Sequence, residues 1–308
     1  MDLARVVYLI CVEFACNTET FVFYAFPLNV TLYRRGNMSK ISERVRHTKI
    51  TRGYCLICGD FGKLSIDHVP PQGSVTITKV EQRHVSEMSG ATAKSIKGVR
   101  SPNGSKFKTI CHKCNSEVLG ANDIEVARVC KELTDKIKTY YSDVSNPFNF
   151  ISVDVNPISY ARAMIGHILS ATSVVECRVE PVNTEYFKPL KNFVLGDDSA
   201  LNDSHDIYYW FYPHNRHLSA KYVHFHNQGH SSGLSLLSFF PVAFLITPKG
   251  QGIYPAHAQK LNLNASKLSL SLSSYNVQYA DFPFVELKGD QMYLLTDYQN
   301  IISYPVKR

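Results

Sequence analysis

The sequence predicts an α+β protein in two parts, a zinc-stapled amino-terminal unit and a mixed, β-rich carboxy-terminal domain. Two Cys-x-x-Cys pairs, Cys55 with Cys58 and Cys111 with Cys114, define the first part. A helical pattern follows the second pair, and beyond Asp206 the chain is dominated by runs typical of strands. The 308 residues are enough for two ordinary domains.

The cysteine spacing predicts one structural metal site. Four thiolates in two such pairs are the ligand set of a closed, tetrahedral zinc site. The other four of the eight cysteines show no pairing pattern, which favours a reducing, cytoplasmic compartment over a disulfide scaffold. A thiol redox protein is a poorer alternative, because the two pairs lack the strand-helix context of such motifs.

Three segments can be separated along the chain. Residues 1–37 differ from the rest, and their apolar run Val6–Val12 is too short to span a bilayer. We expect translation to begin at Met38, and the upstream segment to be absent from the native protein or disordered. Residues 38–145 would form the zinc-stapled unit, and residues 146–308 would form the mixed, β-rich domain.

The first unit should contain two strands and a helix. A strand ending at His68 is stopped by Pro70-Pro71, a polar basic insertion covers residues 72–102, and a second strand, Lys106–Ile110, leads to the second cysteine pair. The helix follows from apolar residues at three- and four-residue intervals, and Asn146-Pro147 would end it. Its predicted stripe is Val126, Val129 or Cys130, Leu133, Ile137 and Tyr140, with Asn122 or Asp123 as the cap.

The second part starts with a strand near Phe148 and a helix over Ile158–Thr172, in which His167 lies beside the apolar stripe and is predicted to be a satisfied core histidine. A short helix towards Val194 comes next. The predicted strands are Ile207–Tyr212, Ala220–His226, Leu234–Thr247 and Phe284–Leu295. Six histidines fall close together, His205, His214, His217, His224, His226 and His230. They are either surface residues between aromatics or a second metal or catalytic site.

The residues between and after the cysteine pairs suit phosphodiester chemistry. Asp67 and the amide oxygen of Asn115 can supply the oxygen ligands that a hard divalent cation requires. A neutral imidazole at His68 can take a proton from a water molecule aimed at phosphorus. A cation held beside it would stabilise charge on the phosphate and on the leaving oxygen.

The order Cys-x-x-Cys, Asp-His, Cys-x-x-Cys-Asn resembles the zinc-containing branch of the HNH, or ββα-metal, endonucleases, which includes phage endonuclease VII and HNH modules of bacterial defence proteins. The resemblance covers roughly Arg52 to Cys130. It implies that Asp67 and Asn115 bind Mg²⁺ or Mn²⁺, that His68 is the general base, and that the four cysteines bind zinc. The middle Asn of the family motif has no counterpart at its usual place, because Asn103 has the wrong spacing.

Charge points to a polyanionic partner. Between Met38 and Asn115 the chain has fourteen Lys and Arg residues against five Asp and Glu residues. Such a basic block is the expected electrostatic footprint for nucleic acid. The candidate phosphate-binding residues are Lys94, Lys97, Arg100, Lys106 and Lys108.

We therefore expect a metal-dependent endonuclease acting on duplex or branched DNA, in host defence or mobile-element biology by analogy with the family. The alternative is a non-catalytic, zinc-dependent nucleic-acid-binding module, which would require none of Asp67, His68 and Asn115. No membrane association is expected, and a homodimer is left open.

Overall fold

The computed structural model of the protein describes residues 8–12, 50–76, 78–84, 99–143, 148–227, 230–250, 257–280, 292–296 and 300–306. Within these residues the fold is mixed α+β, with three α-helices and strands in three sheets. None of the described helices combines the length and the apolar character needed to cross a membrane.

The cysteine-bearing part is a small antiparallel sheet followed by a helix. Its strands are β2 (Arg52–Tyr54), β3 (Phe61–His68) and β6 (Lys106–Cys111), in the order β2-β3-β6. In the β3–β6 register Leu64 lies opposite Cys111, and His68 lies opposite Lys106. A π-helical turn, Lys113–Leu119, leads from β6 directly into helix α1, Gly120–Ser142. This order brings both cysteine pairs to one end of the sheet.

Helix α1 confirms most of the apolar stripe expected from the sequence. Val126, Val129, Cys130, Leu133 and Ile137 are all buried. The predicted cap is wrong, because the helical backbone already begins before Asn122 and the residue preceding α1, Leu119, makes no side-chain capping bond. Asp123 instead lies in the first turn, where its carboxylate is free to bind another element.

Two more helices follow α1 in the chain. Helix α2 covers Pro157–Ser170, and the Asn156 side chain caps it by accepting a hydrogen bond from the Ser159 N–H at 3.1 Å. Helix α3 covers Phe187–Val194. Helix α2 packs against α1, and α3 packs against α2. The approach of α2 depends on Gly166, since a Cβ there would lie 2.1 Å from the Cδ2 atom of buried Leu119. This close contact brings the next residue, His167, against the cysteine-bearing part.

The largest sheet has ten strands among the described residues. They are β1 Tyr8–Val12, β4 Val80–His84, β5 Val99–Ser101, β8 His205–Phe211, β9 His217–Asn227, β10 His230–Phe239, β11 Val242–Pro248, β12 Gln259–Lys260, β14 Met292–Thr296 and β15 Asn300–Pro305. The main path of the sheet runs β12-β8-β11-β10-β9-β15-β4-β5, and β14 joins β1 to β9. A separate pair joins β7, Phe150–Asp154, to β13, Lys267–Ser271.

The strand predictions are right in kind and inexact at their ends. The stretch Leu234–Thr247 is two strands rather than one, because the chain turns at Phe240-Pro241, where proline has no N–H for the ladder. Of the expected strand Phe284–Leu295, the residues before Met292 lie outside the described residues.

The two predicted parts share one sheet and one core. Strands β4 and β5 come from the basic insertion, and β4 pairs on one side with β15 near the carboxyl terminus and on the other with β5. A single apolar cluster contains Phe107 and Val129 from the first part together with Ile165 and Phe244 from the second. The boundary expected near residue 145 therefore does not divide the packing. Upstream of Met38, residues 8–12 pair with β14, and the expected translation start stays a prediction.

Candidate metal centre and adjoining polar site

The four predicted zinc cysteines lie together. The Sγ atoms of Cys55, Cys58, Cys111 and Cys114 are all within 4.8 Å of one another, and those of Cys58 and Cys111 are 3.9 Å apart. Tetrahedral zinc with Zn–S bonds of about 2.3 Å requires sulfur–sulfur distances of about 3.8 Å. The donor set and its spacing therefore fit a metal ion such as zinc, and it is the one such cluster found among the described residues.

Within this cluster, hydrogen bonds favour the thiolate form of Cys55. The Cys111 N–H donates to Cys55 Sγ at 3.3 Å, and the Cys114 N–H points at Cys111 Sγ at 3.5 Å. A hydrogen bond with the Cys114 side chain lowers the pKa of Cys55 to about 5, whereas burial raises the pKa of Cys58 to about 12. A bound cation would supply the positive charge that the remaining sulfurs need to ionise.

His68 is the last residue of β3 and is half-buried. The next residue is held in place because the Val69 N–H donates to the carbonyl oxygen of Ser105 at 3.1 Å. Burial lowers the pKa of His68 below its usual value, and the charge of Lys106 lowers it further. The imidazole is therefore neutral near pH 7, the form that can accept a proton.

Asp67, one residue earlier, faces the interior and is 3% exposed. Its Oδ2 atom accepts hydrogen bonds from Ser170 Oγ at 2.5 Å and from His167 Nδ1 at 3.1 Å. The other ring nitrogen of His167, Nε2, lies 2.8 Å from Asp123 Oδ1. A buried histidine thus joins two carboxylates, one from β3 and one from α1.

The two carboxylates determine the charge of His167. Burial by itself would lower its pKa, but Asp67 and Asp123 together raise the pKa to about 10. The imidazolium then donates from both ring nitrogens, which fixes its hydrogen bonds without a choice of tautomer. The prediction that His167 is a satisfied core histidine is confirmed.

Asn115 holds β3 through its amide nitrogen. Its Nδ2 atom donates to the Ile66 carbonyl oxygen at 2.8 Å and to Ser65 Oγ at 3.0 Å. These contacts fix the backbone just before the Asp67-His68 pair. Asn103, the nearest sequence candidate for orienting His68, lies in the exposed turn after β5. The hydrogen bonds that fix the backbone on either side of the pair come instead from Asn115 and Ser105.

A hydrated Mg²⁺ or Mn²⁺ ion does not fit Asp67 as it is arranged. Such an ion demands octahedral geometry and usually retains several water molecules. Asp67 is 3% exposed, and its Oδ2 atom is already bonded to His167 and Ser170. The metal-binding roles expected for Asp67 and Asn115 therefore stay predictions, and we derive no chemical step through such an ion.

The basic candidates divide into three cases. Lys94 and Lys97 lie outside the described residues. The Arg100 side chain is 68% exposed, but its Nε lies 3.6 Å from a Glu81 carboxylate oxygen. Lys106 and Lys108 lie two positions apart on β6 and therefore share one face of the strand. The register of β3 with β6 places Lys106 directly opposite His68.

The histidine cluster does not behave as one unit. His205 is buried and His217 is partly buried, and burial lowers the pKa of each to about 4. One ring nitrogen of each, His205 Nε2 and His217 Nδ1, is buried and has no hydrogen-bond partner among the described residues. The side chains of His226 and His230 are outside the described part. His217 is distinct because it lines the same pocket as His68.

Sequence reasoning did not connect this region to four residues that lie between 8 and 188 positions beyond Asn115. Asp123 was expected only as a helix cap and His217 only as a member of the histidine cluster, and Ser170 and Ser303 were not singled out. One signal was available, since a histidine in a nearly all-buried helix such as α2 requires polar partners. The identity of those partners depends on packing over a separation of 100 residues, as for Asp67 and His167.

Comparisons of the chain with protein-family models, curated proteins and solved structures gave no match. The resemblance to HNH endonucleases therefore depends on the motif residues alone.

Proposed function

We propose that the protein hydrolyses phosphodiester bonds of DNA, with His68 as the general base. The single observation that carries this proposal is the position of His68. It ends a strand held by a four-cysteine, zinc-competent cluster, it lines a pocket, and its lowered pKa keeps it neutral. The motif order adds independent support, since binding alone would not require an Asp-His pair between the cysteine pairs.

In this proposal, a neutral His68 accepts a proton from a water molecule that attacks phosphorus. Lys106, opposite His68, contributes positive charge beside the phosphate and also favours the neutral form of the imidazole. Asp67 holds the end of β3 against α2 through Ser170 and His167. We also propose that cleavage requires Mg²⁺ or Mn²⁺, and the assay below measures this requirement directly.

The second candidate is a zinc-dependent module that binds nucleic acid without cutting it. One observation favours it, namely that Asp67 is committed to hydrogen bonds inside the protein. In that case Lys106, Lys108 and Arg100 would contact phosphates, and His68 would have no chemical role.

Cleavage assays on supercoiled plasmid, linear duplex and branched oligonucleotides separate the two candidates. Wild type is compared with His68→Ala, with Mg²⁺, with Mn²⁺ and without an added divalent ion. The last arm should omit the ion rather than add chelator, because a chelator would also remove zinc from the cysteines. Loss of the general base should slow cleavage by roughly two to four orders of magnitude.

A matched control is His205→Phe, which alters a buried histidine of β8 that does not line the pocket. It should cleave like wild type. Equal rates for wild type and His68→Ala at saturating metal, with zinc content and DNA binding preserved in both, would remove the nuclease proposal and leave the binding module.

A further inference from the structure

His217, one of the residues that line the His68 pocket, has a polar ring atom that none of the described residues satisfies. His68 and Ser105 line this pocket together with Gln72, Thr76, Thr78 and His217. This atom, His217 Nδ1, is buried and has no hydrogen-bond partner within the part of the chain that the structure describes. A buried polar group left unpaired costs about 1–3 kcal/mol, so a ligand atom that pairs with it would be stabilising.

A row of three polar side chains crosses the main sheet at this point. Ser303 of β15 lies opposite His217 of β9 on one side and opposite Gln82 of β4 on the other. Residues directly opposite in antiparallel strands project from the same face, so the three side chains are neighbours. Gln82 is 1% exposed, and its Nε2 atom also has no hydrogen-bond partner in the described part of the chain. Ser303 Oγ accepts from Ser105 Oγ at 2.5 Å, which ties the row to the pocket wall.

The polar groups of this pocket suit an anionic oxygen ligand. Half of the lining is apolar residues and one glycine, and the other half is hydroxyl, amide and imidazole side chains, with no carboxylate among the described residues. Lys106, opposite His68, adds a positive charge nearby. Phosphate oxygens accept hydrogen bonds from neutral donors of this kind, and a protonated Nδ1 on neutral His217 would be one more donor.

We infer that this pocket binds a phosphate group of the nucleic-acid strand and that His217 contacts its oxygens. This inference deepens the proposed function and rests on it for the identity of the ligand as nucleic acid. It assigns a substrate-contacting residue to the second half of the chain, 149 positions after His68. It also gives β9 and β15 a role at the site, because they position His217 and Ser303.

The test is the ligand-induced rise in melting temperature of the zinc-loaded full-length protein. The probes are a single-stranded oligonucleotide, the dinucleotide phosphodiester TpT, and inorganic phosphate. Ligand that binds the folded state raises the midpoint. Wild type should show a rise with TpT and the oligonucleotide. A rise with inorganic phosphate alone would overturn the strand-phosphate assignment.

His217→Phe removes the polar atoms and keeps a ring of similar size. Without ligand it should melt at the same temperature as wild type or higher, because it removes an unpaired buried nitrogen. Its affinity for TpT should fall about 10- to 100-fold. His205→Phe is the matched control, since His205 is equally orphaned and lies outside the pocket. It should keep the full ligand response.

The failures of the two proposals can be told apart. If wild type does not cleave DNA but TpT still stabilises it through His217, the nuclease proposal fails and the phosphate site stands. If His217→Phe binds TpT as wild type does, the inference is overturned whatever the cleavage result, and an internal water molecule satisfies His217.

Discussion

Asp67 and His68 are neighbours in sequence but lie in opposite environments. Asp67 accepts hydrogen bonds from Ser170 and His167 in the interior and is 3% exposed. His68 lines a pocket whose polar floor includes the unpaired Nδ1 atom of His217. Asp67 is thus buried with one carboxylate oxygen bonded twice, and His68 lines a pocket with an atom that has no partner among the described residues.

This difference separates structural polar groups from those available to a ligand. A carboxylate that is desolvated and paired with a histidine cation contributes to the position of β3 and has little exposed surface to offer an ion. An unpaired imidazole in a pocket is costly to keep unless something binds it. The motif does not tell which of its residues is paired inside the protein and which is available to a ligand, because the amino-acid types are the same in either arrangement.

The largest effect should come from the cysteine cluster, because the sheet that it holds includes β3, the strand of both Asp67 and His68. Replacing Cys58 with Ser removes one of the four ligands. Structural zinc contributes on the order of 10 kcal/mol to the folding of small metal-stapled units. We expect a zinc-free protein with a much lower melting temperature, measured by calorimetry beside metal analysis. A zinc-free Cys58→Ser protein that melts with wild type would contradict a stapling role.

The interior side is tested by His167→Phe. Removing the imidazolium leaves Asp67 buried without its charge partner, a change that typically costs 3–5 kcal/mol. Urea unfolding should show that loss, whereas His205→Phe, which breaks no ion pair with a buried carboxylate, should change the free energy of unfolding little. A His167→Phe protein as stable as wild type would mean that the Asp67 contacts do not hold β3. Asp67→Asn combined with His167→Phe should recover part of the loss, since it also removes the unpaired charge.

The sequence supports the local features of this region and not its long-range contacts. Cysteine spacing identifies the metal-binding set, and apolar periodicity identifies the buried face of α1, because both depend on residues close in the chain. The pairing of Asp67 with His167 depends on how closely α2 approaches, which Gly166 and Leu119 determine by contact. The pocket depends on the register of β9, β15 and β4, which no local pattern encodes.

The unpaired histidines predict a loss of stability in acid. Burial lowers the pKa of His205 and of His217 to about 4, against about 6.5 in the unfolded chain. Between these values the unfolded state binds protons that the folded state does not, so stability falls as pH drops from about 6.5 towards 4. His205→Phe and His217→Phe should each reduce the slope of unfolding free energy against pH by up to one proton. Unchanged slopes in both variants would show that these imidazoles are solvated.

The smallest effects concern the basic residues around the pocket. Lys106→Gln removes a charge opposite His68, whereas Arg100→Gln removes one that already has Glu81 as a neighbour. Each lysine or arginine that neutralises a phosphate contributes nearly one unit to the slope of log affinity against log salt concentration. We expect the slope for DNA binding to fall by about one unit in Lys106→Gln and by less in Arg100→Gln.

Lys106→Gln should also raise the pKa of His68 towards its usual value, because the charge that opposes imidazole protonation is gone. If the two substitutions lowered the slope equally, phosphates would contact β5 as much as the pocket. Lys106 would then have no special role in attracting phosphate to His68.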